Sequence, residues 1–131
     1  MKILSIINID ENDYKSVCSV FKELISDVKY EVLLIAYIGQ DSKTVTLCEL
    51  DSGSFNMVIH DCTDILQYAY LLSSKRIFLA HNHPNGITTP SEQDLISTER
   101  IKSLLYNNGI TLIDHYIVTE KGCHSVFAFS L

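Results

Sequence analysis

Apolar side chains recur at three- and four-residue spacing over residues about 11–27, where Tyr14, Val17, Cys18, Phe21, Leu24 and Ile25 mark one face of an amphipathic helix. Before it, the apolar run within Met1–Ile9 is ended by Asp10 and Glu11 and reads as a first strand or packing arm. After it, Tyr30–Ile38 is almost continuously apolar and predicts a buried strand, with Glu31 as a polar insertion at its head. Gln40-Asp41-Ser42-Lys43 predicts a turn and Thr44–Leu50 alternates like the hairpin partner. Asp51-Ser52-Gly53-Ser54 predicts the next turn, and a short strand is expected through Met57–Ile59. Asp64–Leu72 has helical spacing, and Arg76–Ala80 is a compact apolar strand that runs directly into His81.

A second group of signals brackets the last long helix. Thr89-Pro90-Ser91-Glu92 fits a capping box with Thr89 as N-cap, Pro90 at the first helical position and Glu92 at the third. The helix body runs to about Tyr106, and Asn107-Asn108-Gly109 is the stop. Ile110–Thr119 and Cys123–Phe129 then predict two strands joined by Glu120-Lys121-Gly122. Strands mixed with about three helices predict an α/β sandwich around a mixed sheet.

The length of 131 residues suits one domain, 1–131, and excludes an eight-fold α/β barrel. Ten Lys and Arg against sixteen Asp and Glu give a net charge of −6, and the basic residues are scattered. Phosphate-backbone binding draws its affinity from clustered positive charge, so no direct nucleic-acid binding is expected of the domain alone. The four cysteines, Cys18, Cys48, Cys62 and Cys123, form no C-x-x-C pair and read as small core hydrophobes. No stretch approaches the length needed to span a bilayer, and the expected location is a reducing cytoplasm.

The chemistry concentrates in His81-Asn82-His83-Pro84-Asn85-Gly86 and the Ser91-Glu92-Gln93-Asp94 that follows. Side chains two apart on an extended segment point the same way, so His81 and His83 can converge on one ion. Asp94 falls in the first turns of the new helix, where a carboxylate is electrostatically favoured. Ser91, three residues earlier, is expected on the same helical face. Two imidazoles and one carboxylate leave a fourth tetrahedral position open, the arrangement of catalytic zinc. Other zinc chemistries are excluded: P-C-x-x-C of the nucleobase deaminases and H-E-x-x-H of the helix-borne metalloproteases are both absent.

His-x-His, seven residues, Ser, two residues and Asp together resemble the JAMM (MPN+) metalloprotease signature, filled here by His81, His83, Ser91 and Asp94. Asn82 and Pro84-Asn85-Gly86 resemble the H-N-H-P-S-G run of bacterial RadC-like JAB domains, long labelled DNA repair proteins, with Asn85 in place of serine. Asp114-His115 and Ser125 extend the likeness, which covers about Tyr30 to Ser125, the metal-site core of about 30–125. The resemblance implies a cytidine-deaminase-like three-layer sandwich, a Zn2+ cofactor and hydrolysis of peptide or isopeptide bonds in an unnamed peptide or protein substrate. It also implies a catalytic Glu on an early strand. Glu31 sits where that base belongs, Glu49 is the reserve candidate, and Ser91 would stabilise the developing oxyanion. His115 is expected to support the ligands from behind, whereas His60 and His124 are expected to be surface or strand residues. Two features depart from the family. His60-Asp61-Cys62-Thr63 stands where a Pro-Arg-Glu stretch is usual, and no helix-hairpin-helix region precedes the domain in these residues. The alternative to a hydrolase is a non-catalytic zinc-binding interaction module that serves DNA repair or mobile-element machinery.

Overall fold

The structure is a computed structural model that describes residues 1–10, 13–51 and 59–129, with the backbone alone at Ile59 and His60. Along the chain lie β1 (Lys2–Asn8), α1 (Tyr14–Ile25), β2 (Leu33–Ile38), β3 (Thr44–Glu49), α2 (Ile59–Leu71), β4 (Arg76–Asn82), α3 (Glu92–Asn107), β5 (Thr111–Thr119) and β6 (Gly122–Ser125). The six strands form one mixed sheet in the order β1-β3-β2-β4-β5-β6. Among the described residues its only parallel pair is β4 with β5, and the connection between them is α3.

Alternation along β2 shows how the layers are built. All six of its residues are buried, so both faces of the sheet are covered. Leu34, Ala36 and Ile38 pack with Val17, Phe21 and Ile25 of α1 on one side. Leu33, Ile35 and Tyr37 pack on the other with Ile65 and Ala69 of α2 and Ile101 and Leu105 of α3. The result is the expected three-layer α/β sandwich, one helix against two across the sheet. Fully burying a side chain such as Phe21 contributes about 1.5–3 kcal/mol. Tyr37 keeps its phenol satisfied inside the core by donating to the Ile65 carbonyl at 2.9 Å.

The same alternation sorts β4. Ile77 and Leu79 face α2 and α3, whereas Phe78 and Ala80 face α1. His81 therefore emerges on the α3 side and Asn82 on the α1 side.

Several boundaries differ from the sequence expectation. The strand expected through Met57–Ile59 falls mostly outside the described residues, and Ile59 itself opens α2, five residues before the expected start at Asp64. Asp61 and Cys62, in the first turns of that helix, are buried. The N-cap of α3 is Ser91 rather than Thr89, in extended conformation, with a capping box closed by Asp94 rather than Glu92. Ser91 Oγ accepts the Asp94 N–H at 3.0 Å, and Asp94 Oδ2 accepts the Ser91 N–H at 2.9 Å. Ser91 thus precedes the helix instead of sharing its face. The stop behaves as expected: Gly109 takes φ +76, a left-handed conformation that glycine adopts without strain, and Ile110 N–H closes on the Leu105 carbonyl. Among the described residues, no helix is long and apolar enough to cross a membrane.

Candidate metal centre

Three elements meet at the C-terminal end of β4. His81, the penultimate residue of the strand, pairs with Leu33 of β2 on one side and Ile117 of β5 on the other, and is fully buried. His83 continues the ladder by donating its N–H to the Val118 carbonyl, so it faces the same way as His81. Its ring is fixed by Nδ1, which lies 2.8 Å from the Ile87 carbonyl. A carbonyl only accepts, so Nδ1 carries the proton and, in the neutral ring, Nε2 presents a lone pair.

That lone pair meets two others. His83 Nε2 lies 3.0 Å from His81 Nε2 and 3.1 Å from Asp94 Oδ2, while His81 Nε2 lies 3.4 Å from Asp94 Oδ1. Two donors each bonded to a tetrahedral zinc are separated by about 3.3 Å. The two ring nitrogens are spaced as two donors of one zinc ion would be, each with one oxygen of the Asp94 carboxylate nearby, and the chemistry of the three groups, two imidazoles and a carboxylate, suits that ion. Asp94 owes its aim to the capping box, which fixes its carboxylate from the backbone side.

Glu31 approaches from the segment that precedes β2. The antiparallel register that pairs Leu33 with His81, continued by two residues, sets Glu31 across from His83. Glu31, His81 and His83 each present a ligand atom within 4.8 Å of one another, with Glu31 exposed. It borders a cleft of about 600 Å³ shared with His83, Asn85, Ile87, Ser91 and Asp94. Glu31 lies just before β2 rather than on it. The reserve candidate Glu49 ends β3 opposite Lys2 and Leu34 and does not join the histidines.

Asn82 explains how a loop residue is held there. Val32 N–H donates to Asn82 Oδ1 at 2.7 Å, and Asn82 Nδ2 donates to the carbonyls of Tyr30 at 2.8 Å and Val28 at 3.1 Å. The residue between the two histidines thus pins the segment that carries Glu31. In the sequence Asn82 stands out only as part of a motif. Its parity, opposite to that of the histidines on the same strand end, was the available signal.

Behind His81, His115 Nε2 lies 2.7 Å from His81 Nδ1, and His115 Nδ1 lies 2.7 Å from Thr98 Oγ1. Thr98 was not anticipated, although it stands one helical turn after Asp94. Burial, reinforced by the neighbouring His81, pushes His115 well below the ordinary imidazole range. His83 is raised by its hydrogen bond to Asp94, against the opposing effect of burial. Burial alone would push Asp94 up, but the neighbouring His81 and His83 rings, which favour its anion whenever they take up a proton, and the Ser91 N–H outweigh it and hold the carboxyl well below its usual range.

Other expected residues lie elsewhere. Ser125 donates to Asp114 Oδ2 at 2.5 Å, a clasp between β5 and β6 away from the ligands. His124 lies 3.2 Å from Thr119 Oγ1 on the β5–β6 hairpin, and the His60 side chain is outside the described residues. Cys48 and Cys62 are core residues as expected, and burial pushes the Cys48 thiol up to about 11, whereas Cys18 and Cys123 are half-buried between α1 and β6.

The fold and site define an α/β sandwich with a candidate His, His and carboxylate metal group at one sheet end. Residues 11–130 match the RadC-like JAB domain family, and the chain belongs to it. It is 31% identical over 107 residues to a UPF0758 protein of Legionella pneumophila (strain Lens), covering 82% of this chain and 47% of that protein. A UPF0758 protein of Streptococcus suis (strain 98HAH33) is 34% identical over 101 residues, covering 77% and 41%. A third, from Enterococcus faecalis (strain ATCC 700802 / V583), is 35% identical over 106 residues, covering 79% and 46%. The chain spans about half the length of the curated relatives it matches.

Proposed function

We propose that this domain is a zinc-dependent hydrolase of the JAMM metallopeptidase kind, acting on a peptide or isopeptide bond in a protein substrate. In this reading His81, His83 and Asp94 hold the metal, Glu31 is the general base and Ser91 the oxyanion donor. The observation that carries it is the set of 3.0, 3.1 and 3.4 Å separations among the three ligand groups, with Glu31 on the cleft side. Zinc, when bound, supplies a Lewis acid that acidifies water and polarises a carbonyl. Glu31, exposed to the cleft, takes a proton from the attacking water and returns it to the leaving amine. Ser91 Oγ accepts the Asp94 N–H and so keeps its own hydroxyl proton to donate to the developing oxyanion.

Metal analysis of the purified protein tests the centre directly. About one zinc per chain is expected, and none in His83→Ala, while much of the fold survives because the core on both sheet faces is independent of the ligands. Unchanged zinc in that variant excludes the assignment. Activity is then sought with a ubiquitin-like isopeptide panel and a peptide library. A zinc-loaded protein that cleaves nothing but retains a protein partner is the interaction module instead. A net charge of −6 disfavours direct binding of the domain to DNA. A mobility shift at micromolar protein, weakening steeply with salt, would overturn that expectation.

A further inference from the structure

Two of the ligand groups proposed above, His81 on β4 and Asp94 on α3, are also joined through the protein interior. The path runs from the Asp94 carbonyl to Thr98 Oγ1 at 2.6 Å, on to His115 Nδ1 at 2.7 Å, and from His115 Nε2 to His81 Nδ1 at 2.7 Å. All four residues are buried, His81 and His115 completely. Each contact is short enough to require one proton between its two heavy atoms.

The protons can be assigned by counting. A carbonyl oxygen has none, so the contact with Asp94 consumes the single hydroxyl proton of Thr98. Thr98 Oγ1 can then only accept from His115, which places the His115 proton on Nδ1. A neutral imidazole protonated at Nδ1 has a bare Nε2, which must accept from His81. His81 is thereby protonated at Nδ1 and left with its lone pair on Nε2, the atom that faces His83 and Asp94. We propose that Thr98 and His115 are positioning residues that lock His81 in the one tautomer able to bind metal, with the Asp94 main-chain carbonyl as the fixed end of the chain.

The fold supplies what this needs. Thr98 is one turn beyond Asp94 on α3, so its hydroxyl reaches back to the Asp94 carbonyl. His115 faces α3 because β5 carries an extra residue against β4: Ile77 pairs with Leu112, but Phe78 pairs with Asp114. Leu112 and His115, three apart, consequently share the α3 face of the sheet. Inner partners of this kind typically change metal affinity by 10–100-fold.

The inference rests on the metal reading above, and the two can fail separately. Long-range proton–nitrogen NMR of the histidine rings reads tautomers with or without zinc. The expected wild-type result is a proton on Nδ1 of both His81 and His115. A proton on Nε2 of either ring overturns the inference, whatever the zinc content. Zinc titration against a competing chelator gives the second readout. Thr98→Val keeps the shape without the hydroxyl and is expected to weaken zinc about 10–100-fold, with Thr98→Ser restoring it to within a few-fold of wild type. Zinc binding by folded Thr98→Val as tight as wild type overturns the inference while leaving the metal centre standing. Absence of zinc from wild type removes the metal reading, and the ring spectra still decide the tautomers even if Thr98→Val does not fold.

Discussion

Glu31 and Asp94 are carboxylates lining one cleft, both close to His83, and the protein treats them in opposite ways. Asp94 is buried, accepts a backbone N–H from Ser91 and faces both imidazoles. Glu31 is exposed on a short segment ahead of β2, where only the backbone around it is tied down, by Asn82. A fixed, dehydrated carboxylate is suited to holding a cation, because its orientation costs nothing further on binding. A carboxylate with open access is suited to exchanging protons with water and substrate. In the proposed function the difference separates a holding role for Asp94 from a transfer role for Glu31, two residues of nearly identical chemistry.

The sharpest way to break that contrast is to remove each carboxylate in turn. Asp94→Ala is expected to lose stoichiometric zinc and, with its capping box opened, about 1 kcal/mol of helix stability. Metal content and thermal unfolding check both; full zinc retention would move the ligand role to Glu31. Glu31→Gln is expected to keep zinc and fold while hydrolysis, once a substrate is found, falls ~10²–10⁴-fold. Equal cleavage by that variant would pass the role to Glu49 or to no carboxylate.

A smaller effect is expected at the clamp. Asn82→Ala leaves the Val32 N–H and the Tyr30 and Val28 carbonyls without their side-chain partner, and is expected to cost about 1–3 kcal/mol. Amide exchange should accelerate at residues 28–32 while zinc stays bound. Exchange unchanged there would mean that Glu31 is held by something other than Asn82.

The smallest effect concerns a carboxylate remote from the histidines. Asp41 is held by Thr44, whose hydroxyl and N–H both donate to it, and by the Lys43 N–H, which lowers its carboxyl to about 2. A lowered folded value contributes stability that is present above the ordinary value of 3.8 and is lost as pH falls from there toward about 2. Asp41→Asn should flatten the acid limb of the stability curve over that window, measured by thermal unfolding. An unchanged acid limb would mean that the turn contributes nothing there.

Read alone, the sequence determined the layer class, most of the strand–helix order and the pairing of His81 with His83 on one strand face, because these follow from short-range periodicity. Two histidines two apart on a strand share a face whatever the rest of the chain does, and Ser91-x-x-Asp94 marks a helix start by local hydrogen bonding. Even there the box was shifted by two residues, since Thr89-Pro90-Ser91-Glu92 offers a competing pattern of similar local quality. What brings Asp94 against both imidazoles is the packing of α3 on the sheet. The approach of Glu31 depends on the register that pairs Leu33 with His81, forty-eight residues away in the chain. The side on which His115 emerges depends on the extra residue in β5, since strict alternation from Leu112 would turn His115 away from α3. Register and bulge are set by which strands pair and how both sheet faces fill, and local spacing carries no record of either.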